Sequence, residues 1–362
     1  MIFRWLLLLI PISLAMRYFF GFPPLVVFSA AIAAIVPLAE WIRRATEQLA
    51  EKLGSTIGGL LNVTFGNMAE LLLAVFVLLQ GHSTVVKGQI TGSIIGNSLL
   101  GLGVAVLVGS WGREKQTFNK QRAGRLSSLL VLSVIALLLP ALFSYTERGA
   151  VAPATASALD EKLSLGVSCI LICVYLANLF YTLITHRDAF ECANENRAGK
   201  SQHKNKRSWS IWTAIGVLVV GTALTAWEAK IVAGGLESAA DTLGVSIFFL
   251  GVMVLAVIGN AAEYVAALYF AHENEMTTVI GITIGSTIQV ALLIAPLLVL
   301  ISYAIGSPMN LVFANPIELI AIAAAAFIVN AIALDGETTW FEGVLLLAVY
   351  AILGVAFFYV TP

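Results

Sequence analysis

Gly66-Asn67-Met68-Ala69-Glu70 lies inside an apolar run from about 56 to 79, and Gly259-Asn260-Ala261-Ala262-Glu263 lies inside another from about 243 to 270. The two frames are 193 positions apart. A carboxylate in the middle of a membrane-grade segment is expensive, and it marks function. Two carboxylates in the same five-residue frame mark a repeated unit built around one site.

The composition agrees. Of 362 residues, 59% are hydrophobic and 11% charged, against roughly 25% charged in soluble domains. This is the composition of an all-α, polytopic membrane protein whose surroundings are the lipid bilayer. A net charge of −1 leaves no basic footprint for nucleic acid. The 30 glycines suit close helix packing in lipid. Cys169, Cys173 and Cys192 make an odd count without metal-ligand spacing. Cys169 and Cys173 stand one helical turn apart in an apolar segment and read as packing residues.

A membrane helix needs roughly 17–25 apolar residues. That ruler gives eleven candidate spans, at about 4–20, 24–43, 56–80, 89–111, 125–146, 162–186, 209–230, 242–271, 277–304, 312–334 and 339–361. The first is read as a retained helix and not a leader peptide. No small-x-small cleavage site follows its apolar core, and the next span begins almost at once.

Lysines and arginines set the expected orientation. Arg4, Arg43, Arg44, Lys52, Arg113, Lys115, Lys120, Arg122, Arg125, Arg187, Arg197, Lys200, Lys204, Lys206 and Arg207 fall on one side. Arg17, Lys87, Arg148, Lys162 and Lys230 fall on the other. The 15-to-5 split puts the N-terminus in the cytoplasm and the C-terminus outside, with the cell membrane as the expected host. The longest polar stretch, 187–207, reads as a cytoplasmic linker. It divides an extra N-terminal helix (1–20) and a first five-helix unit (24–186) from a second five-helix unit (208–362). Five is odd, so the second unit enters the membrane from the opposite side. This is the inverted-repeat plan of secondary transporters.

The repeat continues one helix later. Gly92-Ser93-Ile94-Ile95-Gly96-Asn97-Ser98 corresponds to Gly281-Ile282-Thr283-Ile284-Gly285-Ser286-Thr287, now 189 positions on, with Gln289 just beyond. Gly92 with Gly96, and Gly281 with Gly285, are small-xxx-small pairs that allow backbones to approach. Within each Gly-Asn-x-x-Glu, Asn67 and Glu70, or Asn260 and Glu263, share a helix face. Gly66 and Gly259 ahead of them loosen the helix, and a carbonyl freed there could line an ion cavity. The candidate ligands are therefore Glu70, Glu263, Asn67, Asn260, Asn97, Ser98, Ser286, Thr287 and Gln289. All offer oxygen, which suits a hard cation such as Ca²⁺.

Two carboxylates match one divalent cation. With the ion gone, two buried like charges would face each other, and they would take up protons. Occupancy by the ion and by protons then exclude each other, which is the logic of antiport, with no cofactor needed. Two other features carry less. Glu228 near the end of the seventh span reads as an interfacial residue or a partner of Lys230. His272-Glu273-Asn274-Glu275-Met276 begins like a zinc-protease motif but has Met276 where the second His must stand.

At these residues the chain resembles the CAX-type cation/proton exchangers of the calcium/cation antiporter superfamily. The run Ala45-Thr46-Glu47-Gln48-Leu49-Ala50 and the stretch from Gly58 to Asn67 are similar to theirs, as is Gly285-Ser286-Thr287-Ile288-Gln289. The resemblance implies eleven helices, exchange of Ca²⁺ for H⁺, and Glu70 and Glu263 as the acids that bind both. Exchangers of this kind often carry an acidic segment between helices six and seven. Here 187–207 holds six basic and three acidic residues. The sodium/calcium exchangers often have further acids where this chain has Asn97 and Ser286, which favours protons over sodium. Rival readings are a sodium-coupled or Mn²⁺ exchanger, a cation channel filtered by the two glutamates, and an intramembrane metalloenzyme. The last is disfavoured because no His, Cys or Asp accompanies the pair. The exchanger reading allows copies of the chain to assemble into a homo-oligomer.

Overall fold

The computed structural model describes residues 6–147, 153–182, 209–313 and 315–360. The linker 187–207, Arg4, Arg148 and Cys192 lie outside the described residues.

The described residues are nearly all helical. In order come α1 (Leu9–Phe20), α2 (Pro24–Leu53), α3 (Ser55–Phe65), α4 (Met68–Leu79) and α5 (Ser83–Gly109). Then follow α6 (Lys120–Glu147), α7 (Pro153–Phe180), α8 (Ile211–Leu243), α9 (Ile247–Gly259) and α10 (Ala261–His272). The last are α11 (Met276–Ala304), α12 (Pro316–Asp335) and α13 (Trp340–Tyr359). Eight of these are long and apolar enough to cross a membrane. The α9–α10 pair, bent by 55°, makes a ninth, and α1 and α4 are shorter apolar helices.

Local chemistry sets the ends. Pro24 opens α2 at a position where its missing N–H is harmless. Ser210 caps α8 by accepting from the Thr213 N–H, and Gly244 closes it with φ +68°, a conformation that favours glycine. Asn315 with Glu318, and Thr339 with Glu342, form capping boxes on α12 and α13.

Three expectations from the sequence are corrected. First, the spans expected at 56–80 and 242–271 are each broken, at Gly66-Asn67 and at Asn260. The two asparagines leave the helix with nearly the same angles, φ −101° ψ 26° and φ −101° ψ 11°. Second, α2 and α8 run well past the expected 43 and 230. In α2 the added turns carry their charge in pairs: buried Glu40 accepts from Arg43 Nε (2.8 Å) and Arg44 Nε (2.6 Å), and Arg43 also pairs with Glu47. The longer α8 puts Glu228 in mid-helix, buried, where it takes Ser13 Oγ of α1 at 2.6 Å, while Lys230 is exposed. Third, Cys169 and Cys173 are exposed on α7 and do not pack. A lipid-facing stripe and a core-facing stripe are equally apolar, so sequence cannot choose between them.

The connections gather at two faces. On one, β1 (Gln116–Thr117) pairs antiparallel with β2 (Glu337–Thr338). Gln116 Nε2 reaches Asn274 Oδ1 at 3.3 Å and the Asn119 N–H reaches Thr277 Oγ1 at 3.0 Å. Lys115 pairs with Glu337 at 2.8 Å, and that carboxylate holds its ammonium above the ordinary value. We call this the ribbon face. At the opposite face Lys87 Nζ donates to Asn310 Oδ1 (2.6 Å) and the Val312 carbonyl (2.8 Å). There the Leu311 N–H meets Ser164 Oγ at 2.9 Å, and His82 lies 3.6 Å from Glu237.

Candidate ion-binding site

The two broken spans meet at their breaks. An ideal Cβ on Gly259 would sit 3.1 Å from the Glu70 Cβ, so the absent side chain is what lets α4 seat its carboxylate against α9. Around this crossing eight of the nine candidate residues come together through close contacts, and Glu263, three positions after Asn260, is near enough to Glu70 to act on it electrostatically. Asn97 Nδ2 donates to Asn260 Oδ1 (3.0 Å) and to Ser286 Oγ (3.1 Å). Asn67 Nδ2 donates to Gln289 Oε1 (3.1 Å), and Ser286 Oγ donates to Asn67 Oδ1 (3.4 Å). The Ser98 and Thr287 hydroxyls lie 3.3 Å apart. Thr287 gives its proton to the Thr283 carbonyl at 2.9 Å, so Ser98 is the donor to Thr287. Both Asn97–Ser286 and Ser98–Thr287 link residues 189 apart.

The orientations of the amides can be deduced. Asn260 lies 2.9 Å from the Ala256 carbonyl, which only accepts, so its Nδ2 must face that carbonyl. The same nitrogen donates to Ser93 Oγ at 3.0 Å. Asn260 Oδ1 is therefore the atom that faces Asn97, which must present Nδ2 in turn. That leaves Asn97 Oδ1 buried with no hydrogen-bond partner among the described residues. The same holds for Glu70 Oε1 and Oε2, which have Ser93 and Asn260 as polar neighbours but no hydrogen bond of normal geometry. A cluster of buried acceptors without donors is costly in a neutral site. A bound cation or added protons would satisfy it.

The two acids differ in access. Glu70 is 1% exposed, whereas Glu263 is enclosed by protein yet keeps accessible surface. The glycines show the same asymmetry. On α5, Gly88 packs against Phe248 and Val252, and a Cβ on Gly92 would fall on the Val252 carbonyl. Here the small-xxx-small expectation holds for Gly92; Gly96 instead faces the Tyr264 hydroxyl. Their counterparts on α11 make no such approach: Gly281 has only Arg122 nearby at 3.5 Å, and Gly285 has nothing within 4 Å. The reason is that α3 packs elsewhere, with Leu61 and Phe65 against a cluster of α2 and α8 residues that includes Ile42, Leu49 and Leu218. The seam between α5 and α9 is thus tightly packed, whereas the matching positions of α11 have no close neighbour.

Gly92→Ala is therefore expected to destabilise this arrangement by about 1–3 kcal/mol, the usual range for overpacking. Gly285→Ala should stay within about 0.5 kcal/mol of wild type, as surface changes do. Thermal unfolding of the purified protein in detergent checks both, and equal effects would contradict the asymmetry.

Sequence reasoning missed Ser93, Gln89 and Tyr264. Ser93 was visible only as part of a glycine motif. Gln89 Nε2 donates to the Glu70 backbone carbonyl at 3.0 Å, which no pattern announces. Tyr264 follows Glu263, and its buried hydroxyl has no partner among the described residues.

The chain is similar to known proteins along nearly its whole length. The family model for the sodium/calcium exchanger protein matches residues 23–184 and 213–359. A Ca(2+)/H(+) antiporter of Aphanothece halophytica is 40% identical over 99% of this chain and 96% of its own length. The Ca(2+)/H(+) antiporter ChaA of Bacillus subtilis (strain 168) is 38% identical over 93% of each chain. Among solved structures, native YfkE superposes with a TM-score of 0.83 at 33% identity, covering 99% of this chain and 100% of its own. With both matched segments spanning the two broken helices and the site between them, the chain belongs to the sodium/calcium exchanger protein family.

Proposed function

We propose that this protein is a secondary antiporter that exchanges Ca²⁺ for H⁺ by alternating access, with Glu70 and Glu263 binding either one Ca²⁺ or protons. The observation that carries this reading is the buried set of oxygens without donors, led by both carboxylate oxygens of Glu70. A divalent cation neutralises the two acids, and two protons do the same. Relatives named Ca(2+)/H(+) antiporters support the choice of ions. Sodium is disfavoured because the residues that meet at the centre, Asn97 and Ser286, bring no further negative charge.

The architecture fits two inverted five-helix repeats behind an extra first helix. On this reading α3 with α4, and α9 with α10, each make one crossing and α1 makes another, which adds to the eight long helices to give eleven. The contacts between residues 189 apart are those expected along a two-fold axis relating the repeats. The lysine and arginine distribution makes the ribbon face cytoplasmic, with the N-terminus there and the C-terminus outside. The exposed side of Glu263 then communicates with the cytoplasm, and the chain exports Ca²⁺ across the cell membrane.

Uptake of radiolabelled Ca²⁺ into vesicles under an imposed pH gradient tests the assignment. Uptake should follow the gradient without sodium, and a strict sodium requirement would favour the sodium-coupled rival. Alternation has its own test in a background with Cys169, Cys173 and Cys192 replaced by Ser. A thiol at Gly285→Cys, now open, and one at Val85→Cys, now buried, should respond in opposite directions to conditions that favour either face. Labelling that rises and falls together at both positions would indicate a channel.

A further inference from the structure

Gln89 lies on α5 one turn from Ser93 and two turns from Asn97, and all three are buried. The repeated spacing of four puts them on one stripe, about 6 Å apart along the helix axis. Ser93 and Asn97 grip the Asn260 amide. Gln89 grips the other broken span, donating from Nε2 to the Glu70 backbone carbonyl at 3.0 Å. A carbonyl cannot donate, so this contact fixes which end of the Gln89 amide is oxygen. That oxygen, Oε1, is buried and has no hydrogen-bond partner among the described residues. It adds a neutral acceptor to the unpaired oxygens of Glu70 and Asn97, on the side toward the opposite face.

Gln89 also borders the closed seam. Gly88, just before it, packs on Phe248 and Val252, and Gly92, just after it, packs on Val252 and Ala256. Parting α5 from α9 would bare this part of the stripe. The nearby Lys87 does not compete, because its ammonium is held by Asn310 and the Val312 carbonyl.

We propose that Gln89 is a cation ligand of the opposite-face route: once the α5–α9 seam opens, its Oε1 is the first fixed side-chain oxygen that a divalent cation meets before Glu70. This rests on the reading of Glu70 and Glu263 as the exchange site. One side chain then does two things. Its nitrogen holds the first turn of α4 in place, and its oxygen replaces a water of the arriving ion. A neutral oxygen suits a way-station, since it binds a divalent cation more weakly than a carboxylate and lets it pass.

The experiment is Ca²⁺ flux in proteoliposomes of known orientation, with Ca²⁺ presented to each face in turn. Gln89→Met keeps the shape and removes both donor and oxygen. It should raise the apparent KM by at least about tenfold for Ca²⁺ offered at the opposite face, the size of one lost charge-assisted contact. At the ribbon face the KM should rise only by the share that comes from losing the Nε2 brace on α4, so the ratio of opposite-face to ribbon-face KM should still rise by about tenfold. Gln89→Glu loses the same brace but keeps an oxygen and adds charge, and should lower the ratio of opposite-face to ribbon-face KM below that of wild type. An equal rise at both faces for Gln89→Met would reduce Gln89 to a brace for α4 and overturn the proposal, as would no change at either. Should Gln89→Met fail to fold, Gln89→Glu decides alone: a lowered ratio supports the ligand role, and an unchanged one refutes it. A wild type that moves no Ca²⁺ under a pH gradient would overturn the exchange reading itself, an outcome distinct from any of these.

Discussion

Glu70→Gln and Glu263→Gln are each expected to abolish Ca²⁺ transport while leaving a folded protein. Gln keeps the shape of Glu but removes one of two negative charges. A Ca²⁺ ion in the altered site would leave a buried positive charge uncompensated, which costs several kcal/mol and lowers affinity by at least about a hundredfold. The empty protein should not suffer, since exchanging a buried acid for an amide removes a desolvation cost. Its thermal midpoint should hold or rise. The rise should be larger for Glu70→Gln, because Glu70 is 1% exposed and both its carboxylate oxygens lack partners, whereas Glu263 keeps accessible surface. Vesicle flux and thermal unfolding, run on the same preparations, check both halves. Normal Ca²⁺ flux in either variant would remove these residues from the site.

Protons and Ca²⁺ should compete for the same pair. Lowering the pH on the side from which Ca²⁺ loads should raise its apparent KM there. The rise approaches about tenfold per pH unit if Ca²⁺ displaces one proton and about a hundredfold if it displaces two. The two acids titrate as a unit, so the curve belongs to the site and not to either residue. Lowering the pH on the far side should instead speed turnover, because the empty carrier would otherwise return with two bare buried carboxylates. Sodium should do neither. The measurement is initial flux in proteoliposomes with pH set separately on each side at clamped voltage. An apparent KM flat against loading-side pH, or flux that needs sodium on the far side, would disprove proton coupling.

The candidate site was largely legible because its residues break the apolar background in matched frames. Glu70 with Glu263, and Asn97-Ser98 with Ser286-Thr287, are polar islands that recur at fixed separations, and the structure brings Glu70, Asn97, Ser98, Ser286 and Thr287 to the crossing beside Asn260. Gln89 was not legible. It sits two residues from Lys87, where polarity near a membrane boundary is ordinary, and its counterpart 189 positions on is Thr278, another polar residue near a helix start. The breaks at Asn67 and Asn260 were hinted at by the preceding glycines, but hydropathy averaged over a span runs straight across them. The same averaging ended α2 too early, since Glu40 and Arg43 neutralise each other inside a continuing helix. Which face of α7 carries Cys169 and Cys173 could not be read, because lipid and protein core offer an apolar side chain the same solvent.

The contacts Asn97–Ser286 and Ser98–Thr287 bear on the ancestry of the chain. In a symmetric dimer of a half-length protein, residues on the axis touch their own copies, so both partners are necessarily identical. An asparagine there would face an asparagine, and a serine a serine. Joining two such halves in one polypeptide lifts that constraint. Each axial position can then differ, and on the proposed repeat plan one side carries an amide, Asn97, and the other a hydroxyl, Ser286. On that plan the gain is a centre whose two sides differ chemically. A fused carrier can therefore favour one direction of traffic, which a dimer of identical halves in that arrangement could not do.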